Sequence, residues 1–441
     1  MVPHRSFPAA LAGSVHAQNA YAFGYVALGA ILAEFASRLW QFQRFLPDPG
    51  QATLLFCARG GLRLQLVYER FLVRTALASS VQSDNLMISR LVAARLCALA
   101  PTPGLLDELG REFRDRPMSD VAAALTQRDD LELPAVWYDL FEPQRFTRLM
   151  AETEIVRAAV AAQNALFRSH LESRTQGRPT VILCDTGLYG STVRLMREAM
   201  PERRWLCVQF ARSNYKGYAA PHFDCTVGLS VERDVYAPWD RRTAALRFWH
   251  LIESVLEPEL PSVKSFTALP AGSPPRANLE IAGWRQHIEP SERGLFSGAL
   301  AYVDGLDRAA LPRIAADAEE AWSHLKRAVT WPNQGDVALL ALQDRSRDFG
   351  RADHVAQFAG QAGRGRLPRI RDSLWREGAI VQAFPRVGRL GLALVEAAHT
   401  VRAIRAEISP ARSPQSSTRR PDPSEEPAGS VLSPTPAGSH P

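Results

Sequence analysis

Short apolar runs alternate with helical patterns through the first 270 residues of the chain. Five runs read as strands, at residues 53–58, 85–90, 180–185, 205–212 and 223–229. Helical patterns follow the first and third runs, and about 90 residues with helical periodicity separate the second from the third. This alternation is typical of an α/β fold, so we predict a Rossmann-like sheet with a helical insertion.

Changes in composition divide the chain into three predicted regions. Proline, glycine and serine are concentrated at residues 270–275, and a mainly helical pattern follows. The last 33 residues contain eight of the 31 prolines and cannot bury a core. We therefore predict an α/β donor-binding domain at 14–270, a helical C-terminal domain at 285–408 and a disordered tail at 409–441.

Two features bear on the location of the protein. The longest uncharged stretch, between Arg5 and Glu34, contains polar residues, so we predict a buried helix there and neither a secretory signal nor a membrane span. The five cysteines form no CxxC pair and lie in or beside apolar runs. This usage indicates reduced thiols in the core of a cytoplasmic protein.

The net charge of +6 is distributed unevenly along the chain. The first 343 residues carry +1, residues 344–408 carry +5, and the charges of the tail cancel. So dilute a charge predicts no nucleic-acid partner. Within the basic segment, arginines at 364–376 precede an amphipathic helix. In one interpretation, that helix covers a core. In the other, segment 364–408 docks peripherally on the anionic inner face of a membrane.

Polar residues follow four of the predicted strands, at the sheet edge where open α/β folds bind ligands. In chain order they are Arg59, Gly60, Gly61; Ser89, Arg90; Asp185, Gly187, Gly190, Ser191, Thr192; and Arg212. Glycines admit backbone N–H groups to a phosphate, hydroxyls and a helix N-terminus add donors, and arginines neutralise charge. We predict a site for a phosphorylated ligand. Neither a Walker A nor a GxGxxG pattern is present, which argues against ordinary ATPases and dinucleotide-binding enzymes.

A second group of polar residues follows the fifth predicted strand. It combines three carboxylates with two aromatic side chains: Glu232, Asp234, Asp240, Tyr236 and Trp239. Carboxylates beside aromatic faces suit a sugar, and one of the acids could act as general base on an acceptor hydroxyl. The alternative is a surface loop with partly buried aromatics. His222 and His250 have no partners at ligand spacing, so we predict no structural metal site.

The loop CDTGLYGST resembles the signature of phosphoribosyltransferases, and LLFCARGGL resembles their diphosphate-binding loop. The resemblance implies that Asp185 contacts ribose hydroxyls and that the loop ending at Thr192 holds a 5-phosphate. It also implies that Arg59 and Arg90 stabilise the leaving diphosphate. Mg²⁺ bound to that diphosphate is a candidate cofactor.

The order of five segments carries a more specific resemblance, over residues 14–408. HAQNAYAFGYVALGAILAEF, LLFCARGGLRLQLVYERF, LMISRLVAARL, VILCDTGLYGST and RLPRIRDSLWREG are similar to a domain often fused to a HAD-type phosphatase in bacterial polysaccharide loci. That family is understood as glycan phosphoribosyltransferases, which place ribofuranose into O-antigens and capsules. The resemblance implies phosphoribosyl diphosphate as donor and a glycan, lipid-linked in one version of the hypothesis, as acceptor.

The chain also departs from this family. No DxDxT-like segment precedes residue 14, so we expect the phosphatase to be a separate protein. Gly60 stands where relatives have an aspartate, Leu91 where they have an arginine, and Ala30 where they have a proline. The alternative function is therefore that of a catalytically degenerate partner subunit that binds a phosphosugar or glycan. A nucleobase-salvage phosphoribosyltransferase is the third hypothesis. His16, Asn19 and Tyr21, in the family-like N-terminal segment, are further site candidates.

Overall fold

A computed structural model of the protein describes residues 20–270, 272–290, 294–342, 345–346, 354–355, 357–358 and 366–408. The tail predicted at 409–441 lies outside these residues. The same holds for the candidates His16 and Asn19 and for Arg364.

The predicted α/β class is confirmed, because five parallel strands form a sheet in the order β2–β1–β3–β4–β5. The strands are β1 Ala52–Cys57, β2 Gln82–Leu86, β3 Thr180–Leu188, β4 Arg204–Arg212 and β5 Thr226–Glu232. β1 and β3 are neighbours although more than 120 residues separate them, so the chain leaves β1 toward one edge of the sheet and returns beside it. This switch opens a crevice at the carboxyl ends of β1 and β3.

The second and fifth strands differ from the sequence prediction in their bounds. β2 begins three residues earlier than the predicted run and is polar, because it is an edge strand with part of its surface exposed. The apolar residues Met87 and Ile88, which suggested a strand, are buried after β2 has ended. The start of the fifth run is a short 3₁₀ helix, Pro221–Cys225, and β5 follows it.

Sixteen α-helices are present in the described residues, besides six short 3₁₀ helices. The first is α1 Ala20–Arg44, with a π-helical stretch at Gly24–Gly29. The others are α2 Gly60–Thr75, α3 Arg90–Ala98, α4 Pro103–Glu112, α5 Met118–Thr126, α6 Pro143–Glu152, α7 Glu154–Thr175, α8 Ser191–Ala199, α9 Trp249–Leu256, α10 Asn278–Ile281, α11 Leu295–Asp304, α12 Ile314–Thr330, α13 Gln334–Leu339, α14 Arg366–Asp372, α15 Arg376–Ala383 and α16 Gly388–Ile408.

Helices α3–α7 form the predicted helical insertion between β2 and β3. They pack on one face of the sheet around a buried cluster that includes Trp137 and Phe146. Short hairpins complete the fold: β6 Phe266–Thr267 pairs with β7 Arg276–Ala277, and β8 Arg345–Ser346 pairs with β9 His354–Val355. The proline-rich segment at 270–275 therefore connects two paired strands.

The C-terminal helices cover the opposite face of the sheet together with α1. The ring of Phe210 on β4 lies 6.2 Å from that of Trp322 on α12, and both side chains are buried in one hydrophobic cluster. Residues of the predicted C-terminal domain thus share a core with the sheet. Burial of apolar surface is the main driving force for such packing.

α1 is a core helix, as its apolar pattern predicted. It is the one helix in the described ranges that is long and apolar enough to cross a membrane, and most of its apolar window is buried inside the protein. Glycines let it approach α11 closely: a Cβ atom added at Gly24 would lie 2.0 Å from the Leu295 carbonyl oxygen. All five cysteines are free, and four of them are buried.

Candidate functional site

A cavity of about 640 Å³ lies at the carboxyl ends of β1, β2 and β3. It collects nine of the eleven predicted donor-side residues: Arg59, Gly60, Ser89, Arg90, Asp185, Gly187, Gly190, Ser191 and Thr192. These residues come from three loops that are far apart in sequence. Parallel pairing brings the loops together, because all strands end at the same edge of the sheet.

The loop after β3 forms the central wall of this cavity. Asp185 Oδ1 accepts hydrogen bonds from the backbone N–H (2.7 Å) and the hydroxyl (3.5 Å) of Thr186, which orient its carboxylate. At Gly187 the backbone has a φ of +124°, and an added Cβ would lie 2.0 Å from the Ala211 carbonyl oxygen on β4. Only glycine fits such a position, so the sequence requires it for the path of the loop.

The N-terminus of α8 faces the cavity at the end of the same loop. Gly190, with a φ of +74°, precedes the helix, and Ser191 and Thr192 form its first turn. The Gln209 amide, oriented to donate to the Leu188 carbonyl oxygen (3.0 Å), accepts the N–H of Gly190 (3.3 Å). The remaining N–H groups of the first turn and the Thr192 hydroxyl suit an anionic group.

Arg59 and Arg90 lie on the cavity wall contributed by β1 and β2, and both are held by acids. Arg59 Nη2 pairs with Glu257 Oε2 at 2.8 Å and Nη1 donates to the Leu260 carbonyl oxygen at 3.1 Å. Arg90 Nη1 pairs with Glu112 Oε1 at 3.0 Å. These pairs fix the guanidinium positions and partly cancel their charge before any ligand arrives.

Ser89 has a structural role at the same edge. Its hydroxyl accepts the Val92 N–H (3.3 Å) as the N-cap of α3 and donates to the Val263 carbonyl oxygen (2.6 Å). It therefore anchors the β2 loop, which carries Arg90, to the segment that follows α9.

Behind Ser191 lies a buried charge cluster that the sequence did not reveal. Lys216 Nζ, on the loop after β4, donates to the Ser191 hydroxyl at 2.6 Å and forms an ion pair with Glu108 of α4. Ser191 in turn donates to Glu108 Oε1 at 2.9 Å. The side chains of Lys216 and Glu108 are 1% and 0% exposed, so this pair is shielded from solvent.

Burial and pairing both shift the ionisation of this cluster. Desolvation lowers the pKa of Lys216 to about 8, although the Glu108 carboxylate opposes the shift. Burial by itself would raise the pKa of Glu108, but the charges of Lys216 and Arg90 outweigh it and hold that pKa below its ordinary value. The cluster thus keeps Glu108 ionised and leaves Lys216 able to lose its proton near pH 8.

The two glycines after β1 differ in their surroundings. A Cβ atom added at Gly60 would lie 2.5 Å from Cγ2 of Thr186, a side-chain end that faces the cavity. A Cβ atom at Gly61 would lie 2.9 Å from the Cys184 carbonyl oxygen. Gly60 therefore borders the cavity, whereas Gly61 allows α2 to pack against the sheet backbone and does not line the cavity.

These contacts describe a polar cavity with a helix N-terminus, fixed arginines and an oriented carboxylate. The chain matches no family model and no curated protein. The chemistry of the site therefore has to be argued from its own residues.

The structure corrects the prediction that Arg212 joins this site. Its side chain turns toward β5, where Nη1 donates to the carbonyl oxygens of Phe223 (2.9 Å) and Thr226 (3.0 Å) and Nη2 pairs with Glu232. These contacts hold the guanidinium at β5, although Tyr215 of the loop that follows Arg212 lines the cavity.

The five predicted acceptor residues also lie away from the cavity, at the far edge formed by β5. Glu232 binds Arg212 and the Gly228 N–H, and Asp234 accepts the Asn214 N–H at 2.7 Å. Asp240 caps a 3₁₀ helix by accepting the Arg242 N–H at 3.1 Å.

The two aromatic members of that group differ in exposure. The Tyr236 hydroxyl is buried against Glu396 at 2.8 Å, and Trp239 is half exposed. The alternative prediction was a surface loop with two partly buried aromatics, but here one aromatic side chain is buried and the other is exposed. Tyr21 is placed in α1 and does not line the cavity.

Other residues border the cavity where the sequence predicted none. Leu246, Trp249 and Leu374 form an apolar side, and Glu253 of α9 lies beside them. Arg111 and Tyr215 lie at another part of the wall, with the guanidinium 5.3 Å from the ring centre.

One signal for these missed residues was available in the sequence. Lys216 is one of three lysines in the chain and follows a predicted strand end. The acids and apolar residues come from α4, the 3₁₀ helix Arg241–Arg247, α9 and the α14–α15 connection. The sequence pattern does not predict that these elements contact the strand ends.

One carboxylate of the cavity is placed so that it could contact a metal ion. Among the described residues, no three His, Cys, Asp or Glu side chains are grouped so that they could hold an ion. Mg²⁺ in phosphate-transfer sites is commonly held by one or two carboxylates together with substrate phosphates. The oriented carboxylate of Asp185 fits that role for an ion carried by a diphosphate.

Proposed function

We propose that the protein is a glycosyltransferase that transfers the 5-phosphoribosyl group of phosphoribosyl diphosphate to a glycan hydroxyl, within a phosphoribosyltransferase-like fold. The observation that carries the proposal is the convergence of three strand-end loops on one cavity, with Asp185, the α8 N-terminus and two arginines on its walls. A site with one anion-binding helix end and separate cations suits a ligand with two anionic groups joined by a sugar.

Each end of the donor has a matching wall. The 5-phosphate fits the first turn of α8, where N–H groups and the Thr192 hydroxyl donate. Lys216, which is held by the Ser191 hydroxyl and paired with Glu108, lies behind this turn. The diphosphate fits the wall that carries Arg59 and Arg90. Asp185 lies between the two walls and accepts hydrogen bonds from the ribose hydroxyls. When bound, Mg²⁺ would neutralise part of the diphosphate charge.

The transfer step needs no covalent intermediate with the protein. The acceptor hydroxyl oxygen forms a bond to ribose C1, the bond from C1 to the diphosphate oxygen breaks, and the diphosphate leaves with the electron pair. The arginines stabilise the charge that develops on the diphosphate, and Asp185 faces the cationic sugar ring. The hydroxyl proton passes to a carboxylate, for which we propose Glu253 on the cavity wall.

The acceptor side differs from the one that the sequence suggested. Leu246, Trp249 and Leu374 form an apolar wall next to Glu253. Aromatic and aliphatic faces beside a carboxylate suit the apolar and polar faces of a sugar ring. A separate HAD-type phosphatase, acting after transfer, remains part of the proposal.

A second candidate is a binding subunit that holds the phosphosugar without turnover. It is favoured by Gly60, where the side chain of Thr186 occupies the space that a side chain would need. It is also favoured by the ion pairs of Arg59 and Arg90 with acids, because paired arginines stabilise a leaving group less than arginines with solvated charges.

Calorimetric titration with phosphoribosyl diphosphate and Mg²⁺ tests the proposal. Wild type should bind the donor, and Asp185→Asn should bind it at least about tenfold more weakly because a carboxylate contact to hydroxyls is lost. Asp130→Asn, at an exposed residue outside the cavity, is the matched control. Absence of binding by wild type would overturn the donor assignment.

A transfer assay separates the two candidate functions. Release of diphosphate on addition of glycan acceptors, abolished by Asp185→Asn and reduced by Glu253→Gln, supports the enzyme. Tight donor binding without diphosphate release on any acceptor would favour the binding subunit.

A further inference from the structure

Helix α16 exposes a continuous apolar stripe to solvent. Its members are spaced three, four or seven residues apart, so they lie along one side of the helix: Leu390, Leu394, Val401, Ile404 and Ile408. Val387, which is 62% exposed, lies in the turn just before the helix, and the exposed fractions of the five helical residues run from 43% to 76%. Single exposed apolar residues are common, but five in one row on one helix mark an interaction surface.

The opposite side of α16 is already bound to the body of the protein. Leu392 and Ala403 are buried, Glu396 accepts the Tyr236 hydroxyl at 2.8 Å, and the His399 ring packs 5.6 Å from that of Tyr236. Burial lowers the pKa of His399 to about 4, so this contact stays neutral at physiological pH. The helix therefore does not need the stripe in order to pack on its own fold.

The charges near the stripe have one dominant sign. Arg389, Arg402 and Arg405 are exposed on α16, and none of the three pairs with a carboxylate within the described part of the chain. The two acids of the helix face the body, because Glu396 binds Tyr236 and Glu407 lies 3.8 Å from Arg233. An apolar stripe flanked by arginines is typical of a helix that lies in a membrane interface.

We propose that α16 docks the protein peripherally on an anionic lipid surface, with the stripe among the acyl chains and the arginines among the headgroups. The charge pattern favours a membrane over a second copy of the chain. A symmetric dimer through this stripe would bring two sets of arginines together, whereas anionic lipids attract each of them. The proposal does not depend on the proposed function.

Docking through α16 would also have a consequence for the cavity. Leu374, which lines the cavity, lies in the connection between α14 and α15, and α15 leads directly into α16. Leu374, one of the three residues of the apolar wall, thus belongs to the same helical group as the membrane face. A lipid-linked acceptor could reach the cavity from that side.

Co-sedimentation with vesicles tests the docking surface. The full chain should bind phosphatidylcholine vesicles that contain phosphatidylglycerol and bind pure phosphatidylcholine vesicles far more weakly. Leu390→Ser combined with Leu394→Ser should reduce the partition coefficient at least tenfold, and Arg402→Glu and Arg405→Glu should each reduce it at least fivefold.

Matched controls separate docking from general surface effects. Val73→Ser changes an apolar residue of α2 that is 76% exposed, and Arg148→Glu changes an exposed arginine of α6. Both should bind vesicles like wild type, and thermal unfolding should be unchanged in all variants because the side chains are exposed. Equal binding to both vesicle types would overturn the proposal. So would a dimer, seen by sedimentation velocity, that Leu390→Ser and Leu394→Ser dissociate while vesicle binding is unaffected.

Discussion

The ammonium group of Lys216 forms a buried ion pair with the carboxylate of Glu108, and both groups hydrogen-bond the hydroxyl of Ser191. Three elements meet at this point: the loop after β4, helix α4 of the insertion and the first turn of α8. The cluster therefore couples the position of the proposed phosphate-binding turn to two distant parts of the chain.

Lys216→Met should destabilise the protein by about 3 kcal/mol, because it leaves the buried Glu108 carboxylate with only the more distant Arg90 guanidinium, at 3.8 Å, as an ion-pair partner. The double variant Lys216→Met/Glu108→Gln should recover most of the loss, since neither charge remains. Urea unfolding of the four members of this cycle measures the coupling. Additive effects in the double variant would contradict a direct pair.

The affinity for phosphoribosyl diphosphate should fall as pH rises through about 8, where burial lets Lys216 lose its proton. Lys216→Arg keeps a charge over this range, so its affinity should fall less steeply. Titration calorimetry from pH 7 to pH 9 measures the difference. Parallel pH profiles for the two proteins would exclude Lys216 as the titrating group.

The same shift predicts how stability depends on pH. The pKa of Lys216 in the folded protein lies below its ordinary value of 10.5, so between about pH 8 and that value the unfolded chain binds more protons. This group therefore makes the free energy of unfolding rise with pH in that window. The rise should appear in urea unfolding of wild type and be absent from Lys216→Arg.

Gly187→Ala should destabilise the protein and weaken donor binding. The left-handed φ costs a non-glycine residue about 1–3 kcal/mol, and the overlap with the Ala211 carbonyl oxygen adds to this cost. Gly177→Ala is the control, because Gly177 has a φ of +77° but its nearest neighbour lies 3.9 Å away. That variant should lose about 1 kcal/mol and bind the donor normally.

Glu34→Gln should lower the stability of the whole described fold. Glu34 of α1 is buried and accepts hydrogen bonds from Nη1 and Nη2 of Arg242, at 2.6 Å and 2.8 Å. Arg242 also pairs with Glu319 of α12. The expected loss is about 3–5 kcal/mol, in one cooperative transition. Glu319→Gln, at a half-exposed residue, should cost less than about 1 kcal/mol. Separate transitions for residues 14–270 and 285–408 would show that the two regions unfold independently.

Much of the sheet was predictable because its strands have strong local signals. β1, β3 and β4 are buried apolar runs, and turn-forming residues follow them at the point where the strands end. The same logic located the glycines, hydroxyls, Asp185 and the arginines of the cavity, since parallel strands place their ends at one edge. The predicted position of β2 was wrong by three residues at its start, because this edge strand is partly exposed and has no apolar pattern.

The sequence by itself therefore determined which loops could hold an anion, through local rules of turn geometry and strand direction. Only the tertiary structure decided which side chains face that edge. Arg212 and Glu232 are the last residues of β4 and β5, and they pair with each other because these two strands are neighbours and place the residues opposite one another. Lys216 and Glu108 are separated by 108 residues, and burial alone makes their attraction strong. Long-range contacts of this kind depend on packing, which no local pattern of residues encodes.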